Sequence, residues 1–311
     1  MPPGLERDMI DLHCHLLPSL DDGAADLDMA LDMARRQVAG GVRVVACTPH
    51  ILPGLYPNTG PAIRAAVDDL RARLAEAEIP LDIVTGADVH IDPEIVDALQ
   101  DGRSLTIADT RYMLIEPPHH VRPPRFDGIL HDLTVAGYVP IVTHPERLSW
   151  VEDHYDLFLE LAATGVWMQV TSGSLTGFFG SACKRLAERM LDDGIVHILA
   201  SDAHDNRRRV PDLWRGAAAA ARRVGEAEAR RLVLERPQAV LLDRHPAEVP
   251  APEPLRLAQP PSSGDRSHHP NHGNRTYARS ANGRPQTGDL REDRDRAPLR
   301  GMVDRVRRYF S

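Results

Sequence analysis

Histidine and acidic residues recur along this chain in short motifs whose spacing is typical of metal ligands. In DLHCH, His13 and His15 lie two residues apart, so that both imidazoles of a strand there point to the same side and can chelate one cation. Six further motifs, DDG, TPH, GADVH, LIEP, THPER and SDAH, supply the remaining candidates: Asp22, His50, Asp88, Glu116, His144, Asp202 and His204. Imidazole and carboxylate donors without a thiolate favour manganese, iron, zinc or cobalt over a structural cysteine–zinc site.

Each of these residues, taken alone, has an ordinary explanation as a helix cap, a turn residue or a satisfied core histidine. Glu116, however, ends an otherwise apolar run, where burying a carboxylate without a partner is costly. Nine such side chains at the ends of successive apolar segments are hard to explain by coincidence. The set therefore predicts a shared metal cluster.

The elements that position these residues are short apolar strands alternating with amphipathic helices. The predicted strands are 9–13, 43–48, 81–90, 111–117, 139–144, 166–172 and 196–204. The predicted helices are 26–39, 61–77, 93–100, 126–136, 153–163, 181–192, 211–223 and 226–235. Seven β-then-α units indicate parallel strands with crossover helices, either in a barrel or in a doubly wound sheet.

The position of the polar residues distinguishes these two architectures. Six of the candidates lie at or just past the end of an apolar run: His13, His50, Asp88, Glu116, His144 and Asp202. In β/α barrels the chemistry lies at the carboxyl ends of the strands, and six strands converging on one centre are natural for a closed barrel. We therefore predict an α/β fold, a distorted (β/α)7 TIM-like barrel.

Composition divides the chain into three parts. Residues 1–8 are expected to be a flexible N-terminus, and residues 9–245 the catalytic barrel. Residues 246–311 are rich in Pro, Arg, Ser and Asn, and a segment so poor in apolar residues cannot offset its ordering entropy. We predict a disordered C-terminal tail. Its last segment, 299–310, has a weak basic amphipathic pattern that fits a short terminal helix, although a frayed end is favoured.

Charge and cysteine content limit the class of protein. The net charge of −8 argues against a general nucleic-acid binder, which usually carries a basic surface. Three widely separated cysteines, Cys14, Cys47 and Cys183, imply no disulfide framework and fit a reducing cytosol. Neither a secretory signal nor a long apolar run is present, so we expect a cytoplasmic protein without a transmembrane segment.

The ordered motifs resemble the PHP superfamily of phosphoesterases. Within it, the opening DLHCHLLPSLDDG and the ending ASDAHD are similar to the bacterial tyrosine-protein phosphatases encoded with capsule and exopolysaccharide genes. The similarity covers roughly residues 9–243, and the motifs together are highly specific. It implies the PHP fold, hydrolysis of phosphotyrosine, and two or three divalent ions, manganese first, with iron, zinc or cobalt as alternatives.

The resemblance also assigns roles to individual residues. The resemblance implies that His13, His15 and Asp202 hold one ion and that Asp88 bridges it to a second. Glu116 and His144 complete the second site. The third ion is held by Asp22, His50 and His204. Arg147 and Arg209 match positions at which the family uses a planar guanidinium to bind phosphate; an ordinary solvated charge patch is the alternative for Arg209. The implied nucleophile is a metal-bound hydroxide that attacks phosphorus in line with the leaving phenolate.

One residue departs from the family pattern. The bridging carboxylate is normally Glu, and here it is Asp88, which is shorter by one methylene. Either the strand lies closer to the metals or the bridge is weaker, and a changed metal preference or a reduced activity would follow. His90, on the same face, is expected to be a supporting residue or part of the polar rim.

Three alternatives stay open at this point, and a fourth is excluded. A cysteine-dependent phosphatase is rejected, because CKRLAER around Cys183 lacks the glycine-rich phosphate loop that this chemistry needs. An amidohydrolase is disfavoured, because the lone lysine, Lys184, lies away from any strand end. The remaining alternatives are histidinol phosphatase or nuclease activity within the same superfamily, and a non-catalytic metal-binding regulator. The expected partner is a phosphotyrosine protein, suggested by the resemblance to be a bacterial tyrosine kinase that controls polysaccharide export.

Overall fold

Parallel strands form the centre of the molecule. The structure, a computed structural model, describes residues 8–255. Within that range the strands are β1 (Met9–Cys14), β2 (Val42–Cys47), β3 (His50–Ile51), β4 (Asp82–Thr85), β5 (Asp88–His90), β6 (Tyr112–Glu116), β7 (Val139–Thr143), β8 (Trp167–Thr171) and β9 (Ile198–Ala200). Only two residues separate β2 from β3, and only two separate β4 from β5. Each of these pairs therefore counts as one interrupted strand, and the nine strands correspond to the seven predicted ones.

Helices follow the strands along the chain. They are α1 (Leu27–Ala39), α2 (Gly60–Glu76), α3 (Ile95–Gln100), α4 (Phe126–Val135), α5 (Tyr155–Ala163), α6 (Ser172–Thr176), α7 (Gly180–Asp192), α8 (Leu213–Val224), α9 (Glu226–Arg230) and α10 (Arg236–Leu241). A π-helical turn, Arg231–Glu235, joins α9 to α10. The alternation of strand and helix confirms the predicted α/β organisation.

Hydrogen bonding between strands closes the sheet on itself. The parallel orders are β1-β2-β4 and β3-β5-β6-β7-β8-β9, and the chain passes directly from β2 to β3 and from β4 to β5. The remaining gap, between β9 and β1, is closed by a parallel bridge between Cys14 and Ala203. The Asp202 amide donates to the His13 carbonyl at 2.8 Å on the same seam. The predicted seven-unit barrel is therefore confirmed.

The strands are buried on both faces, which explains their continuous apolar sequences. Residues of successive strands such as Leu12, Val44 and Leu114 are fully buried. Helix α8 packs closely on the start of α6, just after β8, because Gly216 has no Cβ to collide with Ser172. The apolar layers thus hold the strands in register, and the carboxyl ends of the strands share one side of the barrel.

The ordered chain extends beyond the predicted boundary at residue 245. Val249 is buried, the Pro250 carbonyl accepts a 2.8 Å hydrogen bond from Arg236 Nε, and the Leu255 amide donates to the Asp192 carbonyl at 2.8 Å. These bonds connect backbone groups to distant residues, so the local composition, which predicted disorder from 246, could not reveal them. Of the predicted flexible N-terminus, 1–8, and the predicted tail, 246–311, residues 1–7 and 256–311 lie outside the described residues, and so does the possible terminal helix at 299–310.

No helix within residues 8–255 is both long enough and apolar enough to cross a lipid bilayer.

Candidate metal centre

All nine predicted ligands lie in one cluster at the carboxyl ends of the strands. His13 and His15 lie at the end of β1, and their Nε2 atoms are 3.2 Å apart. Asp202, just past β9, places Oδ1 at 3.4 Å from His13 Nε2 and 3.5 Å from His15 Nε2. Asp88, on β5, places Oδ2 at 3.4 Å from His13 Nε2. The bridge that closes the barrel thus brings His13 and His15, the first predicted ligands along the chain, next to Asp202, one of the last.

A second group lies beside the first. Asp22 Oδ1 is 3.4 Å from His50 Nε2 and 3.4 Å from His204 Nε2. Together with His15, these residues offer four ligand atoms that all lie within 4.8 Å of one another. Asp22 is half-exposed, whereas His15 and His204 are buried. This group opens toward solvent on one side.

A third group surrounds Glu116, at the end of β6. Glu116 Oε2 is 3.2 Å from His50 Nδ1, and Oε1 is 3.7 Å from His144 Nε2. Asp88 Oδ2 also lies 3.6 Å from His50 Nδ1. Asp88 and His50 therefore connect the three groups. The shorter side chain of Asp88 reaches the middle of the cluster from β5.

The distances within the cluster fit donor atoms arranged around cations. Separations of 3.2 to 3.7 Å are mostly too long for hydrogen bonds to nitrogen. Donors about 2.1 Å from a shared ion lie roughly 3.0 to 3.4 Å from each other in octahedral or tetrahedral geometry. The observed spacing is therefore that of metal ligands rather than of a hydrogen-bonded network.

Unsatisfied polar atoms support the same interpretation. Asp88 is fully buried, yet neither of its carboxylate oxygens has a hydrogen-bond partner. His50 Nδ1 and His204 Nε2 are likewise buried without one. A buried carboxylate with no donor is strongly destabilising. Divalent cations would satisfy all of these atoms, so the residues present fit a metal centre.

The protonation states of Asp202 and His144 suit metal binding, whereas nearby carboxylates outweigh burial and raise the pKa of His13 to about 9 and of His50 to about 10, so these two imidazoles must lose a proton when an ion binds. Burial opposes ionisation of Asp202, but Arg209, His13 and Arg147 outweigh it and hold the pKa of this carboxyl well below its usual range. Burial and the charge of Arg147 lower the pKa of His144 well below 6.5. The carboxylate is therefore ionised and the imidazole neutral near pH 7, which are the forms that bind metals.

Two residues that the sequence analysis did not single out orient the first histidine pair. Asp21 Oδ2 is 2.7 Å from His15 Nδ1, and Gln169 Oε1 is 2.7 Å from His13 Nδ1. Each accepts the Nδ1 proton and leaves Nε2 to face the cluster, as outer partners of metal-bound histidines do. Asp21 could have been noticed as the first acid of DDG; nothing in the sequence around Gln169 distinguishes it.

A third residue missed from the sequence is His119. Its Nε2 lies 3.4 Å from Glu116 Oε1, and its ligand atom lies within 4.8 Å of those of Glu116 and His144. The available signal was the pair of histidines in EPPHH, three and four residues after Glu116. His90, considered as a supporting residue, is part of the rim, with Nδ1 4.0 Å from Glu116 Oε2.

The two predicted phosphate-binding arginines lie beside the cluster and converge on Asp202. Arg209 Nη2 is 2.6 Å from Asp202 Oδ2, and Arg147 Nη1 contacts the same oxygen. The Arg147 guanidinium carbon lies 4.4 Å from the ring centre of Phe179. Each guanidinium keeps further N–H groups, and Arg209 Nε has no hydrogen-bond partner. The pair presents fixed positive charge next to the proposed ligands.

Backbone conformation is unusual at two of the ligands. His144 (φ 34°) and Asp202 (φ 50°) both adopt the left-handed region, which non-glycine residues enter at a cost of about 1–3 kcal/mol each. Such conformations cluster at functional sites. His144 directly follows β7, and Asp202 lies two residues after the end of β9.

The residues that the cysteine-dependent and amidohydrolase alternatives would require lie on helix α7, and Cys183 belongs to none of the candidate ligand groups within residues 8–255. Cys183 has a pKa raised mainly by burial, and Arg189, the arginine of its C-x5-R pattern, packs on the Tyr155 ring at 3.5 Å. Lys184 is about half-exposed and faces Glu188 at 4.0 Å. Neither a cysteine phosphate loop nor a metal-bridging lysine is formed by these residues.

Comparison with known proteins identifies relatives over most of the described chain. The family described as "Capsular polysaccharide synthesis, CpsB/CapC" matches residues 9–242. Tyrosine-protein phosphatase YwqE of Bacillus subtilis is 39% identical over 201 residues, which are 65% of this chain and 79% of that protein. The putative tyrosine-protein phosphatase CapC of Staphylococcus aureus is 30% identical over 63% of this chain and 77% of its own length.

A solved structure matches as well. It comes from a study of YwqE from Bacillus subtilis and CpsB from Streptococcus pneumoniae, described as unique metal-dependent tyrosine phosphatases. The TM-score is 0.75 at 33% identity, and the match covers 80% of this chain and 100% of that one.

Proposed function

Because the chain belongs to the CpsB/CapC family of capsular polysaccharide synthesis, we propose that it is a metal-dependent phosphatase that removes phosphate from phosphotyrosine. The observation that carries this proposal is the largely buried cluster of the nine predicted His, Asp and Glu ligands beside two converging arginines. A centre of this composition suits hydrolysis of a phosphomonoester. The relatives are named as tyrosine-protein phosphatases, which favours phosphotyrosine as the substrate.

We propose that the cluster holds two or three divalent ions, manganese first, with iron, zinc or cobalt as alternatives. The proposed ligand groups are His13, His15, Asp88 and Asp202, then Asp88, Glu116 and His144, then Asp22, His50 and His204. Such ions, when bound, activate water near neutral pH and neutralise charge on the phosphoryl group. The overlap of the groups at Asp88 agrees with its two unsatisfied oxygens.

The arginines bind and orient the phosphate in this proposal. A planar guanidinium donates two parallel hydrogen bonds to phosphate oxygens. Asp202 holds Arg147 and Arg209 in place through one carboxylate oxygen, and Phe179 supports the flat face of Arg147. Because both side chains are preorganised, they stabilise the negative charge of the transition state without a reorganisation cost.

The leaving group agrees with the residues present. Tyrosine has a pKa of about 10 in water, so its phenolate leaves more easily than an alkoxide and needs less help from a general acid. Phosphotyrosine is therefore a better match to a centre of metal ligands and arginines than a serine phosphate would be.

We propose the phosphorylated tyrosine-rich tail of a bacterial tyrosine kinase that controls polysaccharide export as the physiological substrate, in the cytoplasm. The family description supports the link to capsule synthesis, and three free cysteines fit a reducing compartment. A metal-stripped protein should retain the phosphorylated kinase in a pull-down. Equal recovery of the unphosphorylated kinase would contradict this substrate.

Parallel assays separate the proposed activity from its alternatives. With manganese, a phosphotyrosine peptide should be hydrolysed far faster than histidinol phosphate or a single-stranded oligonucleotide. Preference for either of the other two would reassign the enzyme within the superfamily. Stoichiometric metal with no turnover of any substrate would indicate a metal-binding regulator.

A further inference from the structure

His119 occupies a position that a metal ligand would occupy. It lies in the connection between β6 and α4, three residues after Glu116. Its Nε2 is 3.4 Å from Glu116 Oε1, and the same oxygen is 3.7 Å from His144 Nε2. The rings of His119 and His144 are 5.1 Å apart between centres. Glu116 Oε1 thus faces two imidazole nitrogens at the separation expected of donors to one ion, about 3.4 Å for a tetrahedral site.

The backbone around His119 is held in place by the segment that follows His144. The Ser149 amide and hydroxyl both donate to the His119 carbonyl, at 2.9 and 3.1 Å. Trp150 Nε1 donates to the neighbouring Pro118 carbonyl at 2.9 Å. These three bonds join the connection after β6 to the connection after β7. These bonds therefore fix the backbone that places the His119 imidazole next to His144. A surface histidine that met Glu116 by chance would not be held in this way.

We propose that His119 is a metal ligand, and that Glu116, His119 and His144 form a nitrogen-rich site within the centre. The inference rests on the metal-dependent function proposed above. Carboxylate and water ligands suit manganese, whereas imidazoles suit zinc, iron and related metals. A second imidazole at this site therefore favours zinc, cobalt or iron over manganese there.

The neighbouring histidine provides a matched control. His120 follows His119 directly, is exposed, and its ring centre lies 6.3 Å from that of His119. It belongs to none of the ligand groups within residues 8–255. The variants His119→Ala and His120→Ala thus remove the same side chain from adjacent positions, once inside and once outside the proposed site.

Cobalt titration of the metal-stripped, full-length protein tests the proposal. Visible absorption of bound Co²⁺ reports the number and type of its ligands, and calorimetry gives the affinities. His119→Ala should weaken one class of bound ion by about 10-fold or more, since even outer partners of metal ligands contribute 10- to 100-fold, and should change the cobalt spectrum. His120→Ala should match the wild type in both measurements.

A third variant tests the metal preference and protects against a folding defect. His119→Glu replaces the nitrogen donor by an oxygen donor of similar reach, so it should keep the ion that His119→Ala weakens and shift the zinc-to-manganese affinity ratio toward manganese. Unchanged cobalt affinity and spectrum in His119→Ala would overturn the proposal, and so would a loss of turnover with unaltered metal binding. A wild-type protein that binds no cation would overturn the proposed function itself.

Discussion

Asp88 is one of the two residues, with His50, that connect the proposed ligand groups of the centre. It is fully buried, both of its oxygens lack hydrogen bonds, and its Oδ2 lies 3.4 Å from His13 Nε2 and 3.6 Å from His50 Nδ1. Its carboxylate reaches these residues although aspartate is a methylene shorter than the glutamate that the family resemblance led us to expect. Charge at this one position is therefore expected to decide whether the cluster holds its ions.

The variant Asp88→Asn keeps the shape of the side chain and removes its charge. We expect metal affinity and phosphotyrosine turnover to fall by about 100-fold or more, at the upper end of what a weakened metal site loses. Asp92→Asn makes the same change at a nearby turn, where Asp92 caps the Glu94 amide, and should leave both quantities near wild type. Normal turnover in Asp88→Asn would show that Asp88 is not a ligand.

The cysteine mechanism and the metal mechanism predict opposite results for two substitutions. Cys183→Ser should retain turnover of a phosphotyrosine peptide, because Cys183 lies on α7 outside the cluster. His144→Ala should abolish it, because His144 is buried next to Glu116. Circular dichroism checks that both variants fold. The reverse pattern would restore the cysteine-dependent alternative.

His197 gives the protein a pH-dependent stability that is independent of the metal centre. Burial, and then the positive charge of Arg236, lower its pKa to about 3; the Met168 amide donates to Nδ1 and the Trp167 ring stacks on the imidazole. Because the folded pKa is lower than the ordinary 6.5, the stabilising contribution is full above pH 6.5 and is lost as the pH falls toward 3.

Urea unfolding of the metal-free protein measures this contribution. Between pH 7 and pH 5 the wild type should lose about 2 kcal/mol more free energy of unfolding than His197→Asn, which cannot take up a proton. The titration of the centre's own histidines cancels in this comparison. Equal losses in the two proteins would mean that His197 is accessible to protons in the folded state.

At the scale of elements, breaks in two strands determine where His50 and Asp88 lie. The chain leaves β2 at Cys47 and resumes as β3 at His50, and it leaves β4 at Thr85 and resumes as β5 at Asp88. The resumed strands pair His50 with Asp88, and β5 in turn pairs His90 with Glu116. The apolar pattern predicted both strands but not their breaks, because the break is fixed by pairing with neighbouring strands rather than by local sequence.

The segment after α10 makes defined contacts with the barrel, although its composition predicted disorder. Residues 249–255 bury Val249 and provide the Pro250 carbonyl to the fully buried Arg236, whose guanidinium also pairs with Glu228 at 2.7 Å. A chain ending at residue 248 should therefore be less stable than one ending at 255 by about 2 kcal/mol, the cost of an unsatisfied buried donor. Thermal unfolding of the two chains measures the difference; equal midpoints would show that the segment contributes nothing.

At the scale of the whole molecule, closure of the barrel creates the centre. Asp202 and His204 join His13 and His15 because the segment that follows β9 pairs with the end of β1 across nearly two hundred residues. This convergence was predictable from sequence, since polar residues ended each apolar run and such ends meet at one face. His119, Asp21 and Gln169 were not singled out, because their roles depend on contacts that form only in the folded arrangement.

The central proposal is that phosphotyrosine hydrolysis requires cations, and that residues from many strands bind them. Its most direct test is the metal content of the purified protein together with turnover of a phosphotyrosine peptide, before and after chelation. We predict two or three divalent ions per chain, loss of turnover when they are removed, and recovery when manganese is restored. Undiminished turnover by a protein shown to contain no metal would contradict the account.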